Sequence, residues 1–169
     1  LKQSFTILDK DDQLSLIKQI IKAENLDQSQ FSPKLIQSKI DHWKNKALNP
    51  NDVKSESLDN LVDEKSLSIY KIYQARLFEI NCLDFGDLLL QCINLFKVPD
   101  IHKRYSNNFK YIHVDEYQDT NAAQYKWLKL LGSHHQNVCC VGDDDQSIYS
   151  WRGAEVDNIC LLYTSDAAD

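Results

Sequence analysis

Methionine is absent from the 169 residues, glycine occurs four times and proline three times. None of the glycines, Gly86, Gly132, Gly142 and Gly153, is followed by lysine, so the chain holds no phosphate-cradling loop of the form GxxxxGK followed by Ser or Thr. No apolar run approaches the length of a membrane-spanning helix. Cys82, Cys92, Cys139, Cys140 and Cys160 show no zinc-type spacing, and the favoured reading of the adjacent Cys139 and Cys140 is small core hydrophobes on opposite faces of a strand. A reducing cytoplasm is the expected home of such thiols. The formal net charge of -6 excludes a general basic wrapper of nucleic acid, though not a local DNA groove. Leu1 opens in mid-pattern with neither an initiator Met nor a signal peptide, and with Met missing altogether a fragment is expected.

What is present reads as a globular chain of one domain, 43% hydrophobic and 26% charged, long enough to bury a core. There is no internal repeat and no low-complexity tract. From Asp9 to Val98 the pattern is helical. Asp9 is an N-cap, and Leu14, Ile17, Ile20 and Ile21 form an apolar stripe behind it. Ser32 and Pro33 start a second helix, with Ile36, Ile40, Trp43 and Ala47 on one face and Asn49 and Pro50 ending it. Residues 49–57 read as a loop. A longer helix is expected over Leu67 to Asn81, burying Ile69, Ile72, Tyr73, Leu77 and Ile80. After Asp84 another runs through Leu88, Leu89, Cys92, Leu95 and Phe96, closed by Pro99.

The chemistry gathers between Phe109 and Ala154. Tyr111, Ile112 and Val114 run into Asp115, Glu116 and Asp119; Val138 to Val141 run into Gly142 and then Asp143, Asp144 and Asp145. Both apolar runs are expected to be buried parallel strands with acids at their carboxyl ends. A helix from Asn121 to Leu131, stopped by Gly132, supplies the crossover of a right-handed βαβ unit. Ligands of open α/β sheets sit outside the carboxyl ends of the strands, so Asp115 and Glu116 are placed to hold a hydrated magnesium ion and orient a water.

The segments VDEYQDTN and VGDDDQSIYSWRGA, at this separation, resemble motifs II and III of the UvrD/Rep/PcrA-type superfamily 1 DNA helicases. The family usually has Phe where Tyr117 stands, which keeps an aromatic ring. FTILDKDDQ (Phe5 to Gln13) and LDFGDLLL (Leu83 to Leu90) resemble segments flanking the helical insertion of that family's first ATPase domain, although Gly86 replaces an acidic residue or a variant of it. The likeness extends to about Ile159.

The resemblance implies an α/β fold: part of a RecA-like P-loop NTPase domain with a parallel sheet, carrying an all-helical insertion. Residues 1–8 would be the edge of the ATPase domain, 9–98 the insertion and 99–159 the ATPase domain with motifs II and III. It implies ATP and Mg2+ as nucleotide and cofactor, and single-stranded and duplex DNA as partners. Asp115 would be the catalytic carboxylate that holds magnesium through water and Glu116 the general base. Gln118 and Asp119 match the rest of motif II, and Gln146 the glutamine that senses the γ-phosphate. Tyr149, Trp151 and Arg152 match positions that meet single-stranded DNA, where rings stack on any base; packing between the sheet and its next helix is the competing reading for all three. Trp43 is read as core by its periodicity, and His102, His113, His134 and His135 form no constellation.

Residues 160–169, CLLYTSDAAD, leave the family pattern abruptly and look like a translated sequencing-adapter scar. Without its phosphate loop the chain alone is expected to be inactive. Two rivals stay open: a metal-dependent nuclease built on the carboxylates of Asp115, Glu116, Asp119 and Asp143 to Asp145, and a non-catalytic DNA- or partner-binding remnant.

Overall fold

A computed structural model describes residues 2–54, 58, 60–143 and 145. The chain divides into two compact units, Leu1–Lys44 with Leu48–Leu88, and Asn45–Ala47 with Leu89–Asp169.

In the first unit, strand β1 (Thr6–Leu8) leads into helix α1 (Lys10–Ala23). Asp9 caps α1 as expected, its carboxylate accepting the N–H of Asp11 and of Asp12 at 2.9 Å each. Helix α2 (Pro33–Asn45) starts at the Ser32–Pro33 signal, and helix α3 (Leu61–Glu79) starts at Asn60, whose side chain accepts the N–H of Asp63. That start precedes the expected Leu67 by more than a turn, because a capping asparagine outranks a weak apolar pattern. Ile17, Ile20 and Ile21 of α1, Ile36, Ile40 and Trp43 of α2, and Leu67, Ile69, Tyr70, Tyr73 and Leu77 of α3 form the core. Trp43 is core, its ring stacked on Tyr70 with centroids 5.8 Å apart. Ile80, expected inside, is exposed, since α3 ends at Glu79 and the chain turns at Asn81 with a positive φ of 55°.

The reading of residues 9–98 as helices alone is corrected by strand β2 (Cys82–Asp84), which pairs in parallel with β1 in the register Thr6↔Cys82, Ile7↔Leu83, Leu8↔Asp84. Three residues are too few to show a period of two. Helix α4 (Phe85–Leu95) follows, and its residues from Leu89 onward belong to the second unit.

In the second unit, Pro99 does not simply close a helix but opens helix α5 (Pro99–Asn108), standing at its first turn where a missing N–H costs nothing. Strand β3 (Ile112–Val114) and strand β4 (Val138–Cys140) pair in parallel, Ile112↔Val138 to Val114↔Cys140, and helix α6 (Ala122–Gly132) connects them, as the βαβ reading requires. Asn121 and Gln124 close a capping box at the start of α6, both bonds 2.9 Å. Ala47, Leu90, Ile93 and Ala123 form the core, with Leu89, Trp127 and Leu130 against it. The strands are not the buried strands expected: His113 and Cys139 are exposed and their neighbours half-buried. Among the described residues β3 and β4 pair only with each other, so the outer edge of each has no strand beside it. Cys139 is exposed and Cys140 half-buried rather than core, Cys92 on α4 is exposed, and Cys82 alone is buried among the described cysteines.

Two histidines are locally satisfied, His102 Nε2 lying 2.7 Å from the Leu130 carbonyl and His135 Nε2 3.1 Å from that of Asn107. Among the described residues no helix is long and apolar enough to cross a membrane.

Candidate functional site

The chain leaves β3 at Val114 and turns sharply. Asp115 accepts the N–H of Glu116 on its own carboxylate at 2.9 Å, and Glu116 takes the left-handed conformation, φ 51° and ψ 42°. A non-glycine residue there stores strain, which the surroundings must hold in place. They do so through a short 3-10 turn, Tyr117–Asp119, in which Asp119 N–H reaches the Glu116 carbonyl at 3.0 Å and the Thr120 hydroxyl donates to the Tyr117 carbonyl at 2.7 Å. Tyr117 is the anchor of this turn. Its ring is 2% exposed, and burial pushes its phenol above the usual range.

The end of β4 is sewn to this turn. Val141 donates its N–H to the Val114 carbonyl at 2.8 Å and accepts from Tyr117 N–H at 3.0 Å. One residue past Gly142, Asp143 N–H donates to Gln118 Oε1 at 3.0 Å, and Gln118 Nε2 donates to Glu116 Oε2 at 2.6 Å. Gly142 has no room for a side chain: a Cβ would stand 2.6 Å from Gln118 Oε1 and 3.2 Å from Gln118 N.

Asp115 and Glu116 are exposed at the carboxyl end of β3, and with Asp119 they line one part of a cavity of about 910 Å³ whose other walls include Phe96, Trp127 and Leu131. Asp119 Oδ1 is buried and has no hydrogen-bond partner among the described residues. An orphan acceptor beside two exposed carboxylates suits a hard cation with its waters. No group of three or more His, Cys, Asp or Glu among the described residues could hold a metal ion by itself. The donor set thus fits magnesium, which keeps several waters and shares one or two carboxylates with substrate phosphates, better than zinc or calcium in a closed cage.

Of the residues singled out in the sequence, the structure brings together Asp115, Glu116, Gln118 and Asp119. Gln146, Tyr149, Trp151 and Arg152 lie outside the described residues, as do Asp144 and residues 160–169. Sequence reasoning did not single out Tyr117 as an anchor or Gly142 as a contact. A lone aromatic inside an acidic run and a glycine directly after a strand were the available signals.

A model of the UvrD/REP helicase N-terminal domain matches residues 1–166. The chain belongs to that family. Within it, the chain is 47% identical over 169 residues to a probable DNA helicase II homolog of Rickettsia felis, covering 99% of this chain and 26% of that protein. It is 48% identical over 170 residues to a DNA helicase II of Rickettsia typhi. It is 46% identical over 160 residues to an ATP-dependent DNA helicase PcrA of Staphylococcus epidermidis, covering 94% of this chain and 22% of that protein. The chain therefore spans about a quarter of the length of the curated relatives it matches. The likeness that VDEYQDTN and VGDDDQSIYSWRGA carry at the level of motifs thus extends over residues 1–166, a few residues past the expected limit at Ile159.

Proposed function

We propose that this chain is part of the first, RecA-like ATPase domain of an ATP-dependent DNA helicase, and that the parent protein couples ATP hydrolysis to 3′-to-5′ translocation on single-stranded DNA and to duplex unwinding in repair or replication. Residues 1–8 and 99–159 belong to the ATPase domain, 9–98 to its helical insertion, and 160–169 to an adapter-derived scar. The parent works in the cytoplasm. The observation that carries the reading is the exposed pair Asp115 and Glu116 at the carboxyl end of β3, in a βαβ unit of a helicase-family chain.

Asp115 is the residue that would hold magnesium through water, and magnesium when bound offsets charge on the nucleotide phosphates. Glu116 is the base. Gln118 Nε2 occupies its Oε2, which leaves Oε1 to accept the proton of an attacking water. Asp119 offers a buried acceptor at the cavity wall. Gln146 contacts the γ-phosphate, and Tyr149, Trp151 and Arg152 contact the DNA strand.

The test is ATP turnover by the full-length protein with and without single-stranded DNA. Glu116→Gln should lower kcat by about 10²- to 10⁴-fold. Nucleotide-independent cleavage of DNA would point to the nuclease instead. The isolated 169-residue chain should show no magnesium-dependent turnover. Sequencing the native locus should find the phosphate loop upstream of Leu1.

A further inference from the structure

We propose that Gln118 is a positioning residue that fastens the loop after β4 to the carboxylate of Glu116, with Gly142 as the contact that makes the fastening tight. The proposal rests on Glu116 being the base.

The orientation of the Gln118 amide is dictated by its partners. Asp143 N–H can only donate, so the oxygen must face it, and the amide nitrogen is left facing Glu116, which as a carboxylate can only accept. Reversing the amide would set donor against donor at one end and oxygen against oxygen at the other. Gln118 is 1% exposed, so its amide depends on these two partners rather than on water.

Glu116 needs such a hold. It stands in the left-handed conformation between a strand and a 3-10 turn, so neither element directs its side chain. The 2.6 Å bond from Gln118 is its one side-chain hydrogen bond among the described residues, and it is charge-assisted. Of the links joining the two segments, Val141 to Val114 and Tyr117 to Val141 run through backbone alone. The Gln118 link is the one that continues into the carboxylate. Gly142 sets its tightness, because its missing Cβ is what lets the loop backbone rest against Gln118 Oε1. A shift of the loop therefore moves the carboxylate, and a displacement of about 1 Å at a reacting group can cost about 100-fold in rate.

The experiment measures steady-state ATP turnover by the full-length protein carrying three changes. Gln118→Glu keeps the shape and the acceptor for Asp143 N–H but replaces the donor to Glu116 with an oxygen; kcat should fall about 10- to 100-fold while KM for ATP changes less than about threefold. Gly142→Ala, which drives a methyl into Gln118, should give a similar loss. In a Gln118→Ala background the same Gly142→Ala change should cost less than it does in the wild type, since the 2.6 Å contact with Gln118 Oε1 is gone and only the backbone contacts with Gln118 N at 3.2 Å and Tyr117 N at 3.3 Å remain. Melting curves of all variants separate misfolding from misplacement, and Gly142→Ala decides the matter should Gln118→Glu not fold. A Gln118→Glu variant with unchanged kcat beside a Glu116→Gln variant that is nearly dead overturns the proposal alone, as do losses of Gly142→Ala and Gln118→Ala that simply add. A wild type without ATP turnover, or an active Glu116→Gln, overturns the reading of Glu116 and this proposal with it.

Discussion

Lys44 Nζ donates to Asp87 Oδ1 across 2.8 Å with both side chains wholly buried. Asp84 Oδ2 lies 2.6 Å from the same nitrogen and also accepts from the Tyr73 hydroxyl at 2.9 Å, while Gln74 Nε2 donates to Asp87 at 3.0 Å. One ammonium thus serves two carboxylates. The aspartates are linked in turn through backbone, Asp87 N–H reaching Asp84 Oδ1 at 2.8 Å, so β2 and the start of α4 are held to the end of α2 and the middle of α3.

Lys44→Met keeps the length of the stem and removes the charge, leaving two carboxylates without their cation. The expected loss is about 3–5 kcal/mol, the range for breaking a buried pair by deleting one partner. Urea unfolding of this chain, followed by circular dichroism, reads it. A loss near zero would mean that water reaches the aspartates.

Asp87 carries a pH signature. Burial raises its carboxyl above the ordinary 3.8, Lys44 pulls it part of the way back and the Asp84 charge raises it again. A raised folded-state value means that the folded chain binds this proton more tightly than the unfolded one. The contribution of Asp87 to stability therefore grows as the pH falls through the folded value toward 3.8, and is absent above it. Asp87→Asn has no such term, so the stability of the wild type relative to this variant should rise on acidification. Urea midpoints of both proteins from neutral pH downward check it, and the opposite slope would mean that the pairing with Lys44 outweighs burial.

Gly86 lies over the stem of the same lysine. A Cβ there would stand 2.9 Å from Lys44 Cδ and 3.1 Å from its Cβ. Lys44 is tied at its far end and cannot swing aside, so Gly86→Ala should cost about 1–3 kcal/mol of overpacking although alanine is the better helix former by about 1 kcal/mol. A variant more stable than wild type in urea would show that the stem can move.

Asn121 is a cap first and a contact second. Asn121→Ala removes the oxygen that accepts Gln124 N–H and should cost about 1 kcal/mol, whereas Asn121→Gly should cost only a few tenths. If the 3.2 Å bond from Asn121 Nδ2 to Asn45 Oδ1 were the main role instead, glycine and alanine would be equally harmful. The two urea curves distinguish these cases.

What the sequence by itself determined is what neighbours within a few residues decide. Asp9, the Ser32–Pro33 pair and Asn121 announced three helix starts, because a cap satisfies backbone N–H groups two or three residues ahead of it. The acids after Val114 were legible as a strand end because apolar runs and carboxylates alternate in the text itself. Tertiary structure alone decided the rest. β2 became a strand only because β1 lay beside it, and Lys44, which any sequence reading places at the surface, is buried by aspartates 40 and more residues away. Gln118 acquired its second partner from a loop 25 residues on, a pairing that depends on the register of β3 against β4. Such contacts arise from chain closure over long loops, which no local pattern encodes.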